Sequence, residues 1–253
     1  MKSKSLKRFF TAACDIFFPP KCIGCGETID NRRQSRVLCP VCRQKFLSEI
    51  SKPCPVCGKE YSFCICKPKG FLPDGFAYSL PYDKESGITR KMILCCKNRR
   101  VCAVFKEIAA AMLETAKINH ILTENSLITY VPRAPEKVVR KGLDQAEELA
   151  KEFSKVSGIQ CVELIRHRRF SYEQKNLGEA MRSTNAEKNF RLSDRKNLIA
   201  GKNIILIDDI VTTGATVNAC TCLLKEAGAE SVFCLSASKN IKTPSYHIKE
   251  EKP

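Results

Sequence analysis

The chain has 253 residues, enough for one full α/β domain plus a small module. Lys and Arg number 43 against 27 acids, a formal +16, and 16 residues are cysteine. The apolar runs are too short for a transmembrane helix, so a helical membrane span is excluded, and the charge favours an anionic partner.

Residues 1–20, MKSKSLKRFFTAACDIFFPP, open with a basic head and an apolar stretch. Asp15 interrupts that stretch and no convincing small-residue cleavage site follows it, which argues against export. Leu6, Phe9, Phe10, Ile16 and Phe17 instead predict a short amphipathic helix packed on the next module. A cytoplasmic protein with this many cysteines should hold them as metal thiolates and buried thiols rather than disulfides.

Residues 21–70 form the cysteine-rich module. Cys22-x2-Cys25 and Cys39-x2-Cys42 are two knuckles, each able to offer both sulfurs to one tetrahedral zinc ion. Cys54-x2-Cys57 and the tighter Cys64-x-Cys66 give a second set of four. One or two structural Zn2+ ions are implied, and the spacing leaves interleaved ligand sets open, with disulfides the alternative. The module is too poor in apolar residues to fold alone, so metal binding should supply much of its stability. Its 14 Lys/Arg against 5 Asp/Glu in residues 1–70 suggest nucleic acid as the polyanion. A solvated basic surface explains the same count. Cys95, Cys96, Cys102, Cys161, Cys220, Cys222 and Cys234 lack knuckle spacing and read as small core residues.

Residues 71–237 have the pattern of a parallel α/β domain. Pro68 to Gly75 reads as a hinge, and Phe76–Leu80 as an edge strand. Ser86–Cys96 and Val101–Ile118 have helical spacing, Leu127–Val131 reads as a strand, Gly142–Ser157 as a helix, and Gln160–Ile165 as a strand. Ser231–Ala237 closes the series, and residues 238–253 form a polar, frayed tail. Such alternation predicts a doubly wound parallel sheet with right-handed crossovers.

The most informative stretch is residues 203–216, NIILIDDIVTTGAT. A fully buried strand, Ile204 to Ile207, ends in Asp208 and Asp209; Thr212, Thr213, Gly214, Ala215 and Thr216 then open a helix. Ligands of parallel sheets bind outside the carboxyl ends of the strands, and a helix N-terminus there presents free N–H groups to an anion. Paired acids do not suit a phosphate, but they suit a ribose diol or Mg2+. The ligand should carry a phosphate with sugar hydroxyls beside it.

Acid-acid-x-x-x-Thr-Gly-x-Thr after an apolar strand resembles the 5-phosphoribosyl-1-pyrophosphate (PRPP) motif of type I phosphoribosyltransferases. The resemblance implies that Asp208 and Asp209, the catalytic pair, hold the ribose hydroxyls while Thr212 to Thr216 cradle the 5′-phosphate. Tyr130-Val131-Pro132-Arg133-Ala134-Pro135 ends a strand and leads to Lys137, Arg140, Lys141, Gly142 and Gln145. Arg133, Lys137 and Lys141 would meet the pyrophosphate with Mg2+, and the basic stretch 166–182 would close over it. Together with the knuckles and Lys97, these patches resemble the ComF family of competence-associated proteins, a zinc-ribbon head on a type I phosphoribosyltransferase domain. The family's Arg-Gly-Phe-Asn-Gln stands here as Lys141-Gly142-Leu143-Asp144-Gln145, and Lys does not replace a bidentate Arg on phosphate.

Two functions follow from the resemblance. One is a PRPP-binding adaptor in single-stranded DNA handling during DNA uptake, working with a competence helicase. The other is an active phosphoribosyltransferase in nucleobase or nucleotide salvage. Purine-salvage relatives commonly carry an aspartate where this chain has Thr212, and the acceptor is not legible from the residues.

Overall fold

The computed structural model describes residues 19–29, 37–82, 87–98, 102–168 and 189–240. The expected N-terminal helix, the tail beyond residue 240 and residues 169–188 of the basic stretch lie outside the described residues.

The strands are β1 (Gly75–Tyr82), β2 (Ser126–Tyr130), β3 (Ile165–His167), β4 (Phe190–Leu192), β5 (Asn203–Val211) and β6 (Ser231–Asn240). The main sheet has the order β1-β6-β5-β2, with every neighbouring pair parallel. β3 and β4 form a separate antiparallel pair. The helices are α1 (Pro40–Ile50), α2 (Ile88–Asn98), α3 (Cys102–Ile118), α4 (Pro135–Lys141), α5 (Gln145–Ser157) and α6 (Ala215–Glu226).

Alternate residues of each central strand feed two cores. Ala77, Ile128, Ile205, Ile207 and Leu235 pack with α2, α3 and α5 on one face. Phe76, Tyr78, Leu127, Ile204, Leu206 and Cys234 pack with Val217, Cys220 and Leu224 of α6 on the other. Burial on both faces explains why the strands read as continuous apolar runs.

Several boundaries differ from the sequence expectation. The segment Gln160–Ile165 is not a full strand: it makes one parallel bridge, Ile128 to Cys161. The Thr129 hydroxyl takes the Leu164 N–H at 3.2 Å, in place of a continued backbone ladder. β5 runs through both acids to Val211 because β6 continues to pair with it, Ile210 opposite Ser238 and Val211 opposite Lys239. β6 likewise extends to Asn240, so the first three residues of the expected tail are strand. Residues 135–141, for which the sequence predicts no element, form α4, which Pro135 can open because the first helical turn needs no donor from it.

The head is fastened to the sheet at several points. Glu49 of α1 accepts from the Ile88 N–H at 2.8 Å and the Thr89 N–H at 2.9 Å, capping α2 across the junction. Lys91 donates to the Gly24 carbonyl, and Asn119 Nδ2 to the Ser62 carbonyl at 2.7 Å. The expected hinge is anchored too: Asp74 receives the Val232 N–H at 2.7 Å and pairs with Lys225 at 2.7 Å.

Cys22 and Cys42 lie in the first core, and Cys54 and Cys64 in the second. The cysteine module is therefore continuous with both hydrophobic cores. Stripping metal from the clusters with a strong chelator should lower the melting temperature of the whole chain in one transition. A melt with an unshifted main transition, and protease cuts confined to residues 21–67, would show an independent module instead.

Candidate functional site

Two four-cysteine clusters close on consecutive ligands. Cys22, Cys25, Cys39 and Cys42 form one, and Cys54, Cys57, Cys64 and Cys66 the other, with all four Sγ atoms of each within 4.8 Å of one another. Sulfurs held tetrahedrally about 2.3 Å from zinc lie roughly 3.8 Å apart. Cys25 and Cys39 Sγ are 3.8 Å apart, and Cys57 and Cys64 Sγ 3.6 Å. The donor sets fit structural zinc, and the interleaved arrangement is set aside.

Local backbone builds the first cluster. Cys39 caps α1, its sulfur 3.5 Å from the Cys42 N–H, and the Cys39 N–H points at Cys22 Sγ at 3.3 Å. A Cβ on Gly24 would stand 2.5 Å from Cys42 Sγ, so glycine is required inside that knuckle. Burial pushes the Cys22 thiol up, but the N–H groups of Cys39, Cys25 and Gly24 outweigh it and bring it to about 6. Cys54 behaves alike: burial is outweighed by the Val56 and Cys57 N–H groups, leaving it at about 7. Each cluster opens on a cysteine poised as thiolate, and bound metal would deprotonate the rest.

The second cluster has a partner that the spacing does not reveal. Tyr78, fully buried in β1, donates its hydroxyl to Cys64 Sγ at 3.2 Å, with Cys54 Sγ 3.7 Å away. Such outer hydrogen bonds orient metal ligands. Tyr78 lies 14 residues beyond Cys64 in another element, and its apolar strand context signals only core.

At the carboxyl ends of β2 and β5, where the sequence places a ligand crevice, charged side chains converge. Arg133, three residues past β2, comes within 3.8 Å of Asp209 through Nη2, each side chain one-fifth exposed. Its other terminal nitrogen, Nη1, is buried and has no hydrogen-bond partner among the described residues. The Arg133 N–H donates to Asp144 Oδ2 at 2.7 Å. Asp144 also caps α5, its Oδ1 taking the Ala146 N–H at 3.0 Å. The aspartate where the family pattern has asparagine thus acts as helix cap and as anchor for the Arg133 backbone. An acid followed by Gln-Ala-Glu is a helix-start signal that could have identified it. Burial raises the Asp144 carboxyl, only partly offset by the N–H groups of Arg133 and Glu147.

Asp208 and Asp209 stand side by side in β5. Asp208 Oδ1 accepts the Asp209 N–H, and Asp209 Oδ1 the Ile210 N–H, both at 2.8 Å. Burial, and then the neighbouring Asp209 charge, hold the Asp208 carboxyl well above its ordinary range. Beyond them Thr212, Thr213 and Thr216 are exposed, Gly214 is buried and Ala215 begins α6. Gly214 is the N-cap, with φ +82° and no side-chain cap bond, and the Ala215 N–H makes a long bond to Thr213 Oγ1 at 3.5 Å. Of the expected pyrophosphate contacts, Arg133 reaches the acids and Lys137 is exposed on α4; the side chain of Lys141 lies outside the described residues.

The raised Asp208 carboxyl has a sign that can be tested. Its folded form resists ionisation, so it costs stability once pH exceeds its unfolded value near 3.8, fully so above the folded value. Asp208→Asn should therefore melt about 2–4 °C above wild type at neutral pH and lose that advantage toward pH 4. Equal melting at pH 7 and pH 4 would contradict the burial assigned to this carboxyl.

Residues 138–248 match the phosphoribosyl transferase domain family. Competence protein F of Haemophilus influenzae is 30% identical over 118 residues, covering 46% of this chain and 52% of that protein. Competence protein ComFC of Streptococcus pneumoniae is 31% identical over 106 residues, covering 42% and 44%. The chain thus spans about half the length of the curated relatives it matches. Among solved structures, the PRPP amidotransferase of B. subtilis aligns with 53% of this chain and 26% of its own, at 18% identity and a TM-score of 0.37. With two four-cysteine clusters ahead of a parallel sheet and a match to the phosphoribosyl transferase domain, the chain is similar to these two competence proteins.

Proposed function

We propose that the crevice between β2 and β5 binds PRPP with Mg2+, and that the protein serves single-stranded DNA handling in DNA uptake. The observation that carries the PRPP reading is convergence: a part-buried Arg133 with a free nitrogen, a paired acid and an open helix N-terminus meet at one sheet end. Asp209 would accept hydrogen bonds from the ribose hydroxyls, with the Asp208 carboxyl beside it. The N–H groups at the start of α6 and the hydroxyls of Thr212, Thr213 and Thr216 suit the 5′-phosphate. Arg133 would turn its unpartnered Nη1 to the pyrophosphate, with Lys137 and Lys141 adding charge. Mg2+ bound there would neutralise the leaving pyrophosphate, while the protein positions the anomeric carbon and excludes water.

Support for the nucleic-acid part comes from the head. Lys52, Lys59 and Lys69 are exposed around the second cluster, and Phe63 is 50% exposed among them. Clustered cations beside an exposed ring suit a single strand, whose bases stack and whose phosphates are neutralised. The names of the two competence relatives favour the same role, and a helicase of the uptake machinery is the partner proposed. An active salvage phosphoribosyltransferase is the second reading, favoured by the matched domain. Base-dependent release of pyrophosphate distinguishes it from the adaptor.

Calorimetric titration of PRPP with Mg2+ should give a saturable isotherm for wild type and none for Asp208→Asn/Asp209→Asn, with the double variant still folded. Equal affinity in the two proteins would overturn the assignment. Oligonucleotide binding should weaken steeply and log-linearly as salt rises, one unit of slope per phosphate neutralised being about 0.7 for single strands. Binding indifferent to salt would remove the electrostatic role of the head.

A further inference from the structure

The segment between the last cysteine of the second cluster and β1 reaches the glycine loop. Its first residue is tied down: the Cys66 carbonyl accepts from Lys239 Nζ at 2.7 Å. The same ammonium lies over the rings of Phe76 and Tyr78, 6.0 and 5.7 Å from their centroids. Phe71 then meets Gly214, where a Cβ would stand 2.5 Å from ring Cδ2. The Phe71 ring packs edge-on against Phe76, centroids 5.0 Å apart. Asn218, in the first turn of α6, completes the contact. Its Nδ2 donates to the Gly70 carbonyl at 2.8 Å and its Oδ1 accepts the Leu72 N–H at 2.9 Å.

Gly214 needs this support. It sits at φ +82° with no side-chain cap bond, and glycine alone visits both signs of φ with little preference. We propose that residues 66–74 are a strap that holds the glycine loop in its ligand-ready form, with Phe71 and Asn218 as positioning residues, so that the loop depends on a closed second cluster. The proposal rests on the reading of this loop as a phosphate cradle. Closure of the cluster fixes Cys64 and Cys66, and with them the start of the strap. Opening it frees the strap's first residues and adds chain entropy that works against the Phe71 contact. Coupling of this kind is reciprocal: a ligand on the loop must also resist opening of the cluster.

The test uses the full chain loaded with zinc, and a Cys25→Ser background that opens the first cluster so that zinc release reports on the second. Asn218→Ala removes both strap hydrogen bonds and leaves the loop residues intact. It should bind PRPP with Mg2+ roughly tenfold more weakly and release second-cluster zinc to a chromophoric chelator several-fold faster. Asn218→Asp, which keeps the acceptor for the Leu72 N–H, should lose less of both. Saturating PRPP should slow zinc release in the Cys25→Ser protein and not after Asn218→Ala is added. Wild-type PRPP affinity in a folded Asn218→Ala overturns the proposal. If the wild type itself binds no PRPP, the phosphate reading fails separately. Zinc release then decides the strap: faster release in Asn218→Ala supports it, and an unchanged rate overturns it.

Discussion

The structure depends on how its edge strand is covered. β1 is buried on both faces although it borders the sheet, and an uncovered edge with Phe76, Tyr78 and Leu80 would invite association. The cysteine head supplies the cover. Helix α1 and the first cluster join the core of α2 and α3, while Tyr61 and the second cluster join the core beneath α6. The head is poor in apolar residues, and metal bound at its thiolate clusters would act as a cross-link in place of a larger core.

The same arrangement places chemistry where the sheet is least settled. Ladder pairing carries β5 through Asp208 and Asp209, so two carboxylates are fixed as neighbours in a partly desolvated crevice. Like charges so placed oppose folding, and Arg133 answers only one of them. In the proposed reading, a sugar diol and a cation bound there would relieve that strain. The orphaned guanidinium nitrogen is the complementary debt on the other side of the crevice.

The two clusters differ in what they reach. The first is bound up with helix ends: Cys39 caps α1, and Glu49 farther along α1 caps α2. The second lies on the face that carries α6, with Tyr78 between its sulfurs and the aromatic packing of Phe76 and Phe71. A segment with the composition of a hinge is there tied down by Lys239, Asn218 and Val232. Its prolines and glycines serve close approach to Gly214 rather than motion.

Much was legible in the residues because it is local. Knuckle spacing determined the cysteine ligands, the apolar run followed by Asp208, Asp209 and a glycine turn determined the crevice, and strand–helix alternation determined a parallel sheet. What lay beyond the sequence depended on partners far along the chain. The strand expected at Gln160–Ile165 is reduced to one bridge since the Thr129 side chain takes a ladder donor. β5 and β6 outrun their apolar segments because each satisfies the other's backbone. Tyr78, Phe71 and Asn218 carry no motif, for their roles arise from contacts across 14 and about 146 residues, and the hold of Asp144 on the Arg133 backbone spans 11. The sequence alone determined which groups could bind metal and phosphate; only tertiary packing decided which of them meet, since hydrogen bonds and burial act through space and not along the chain.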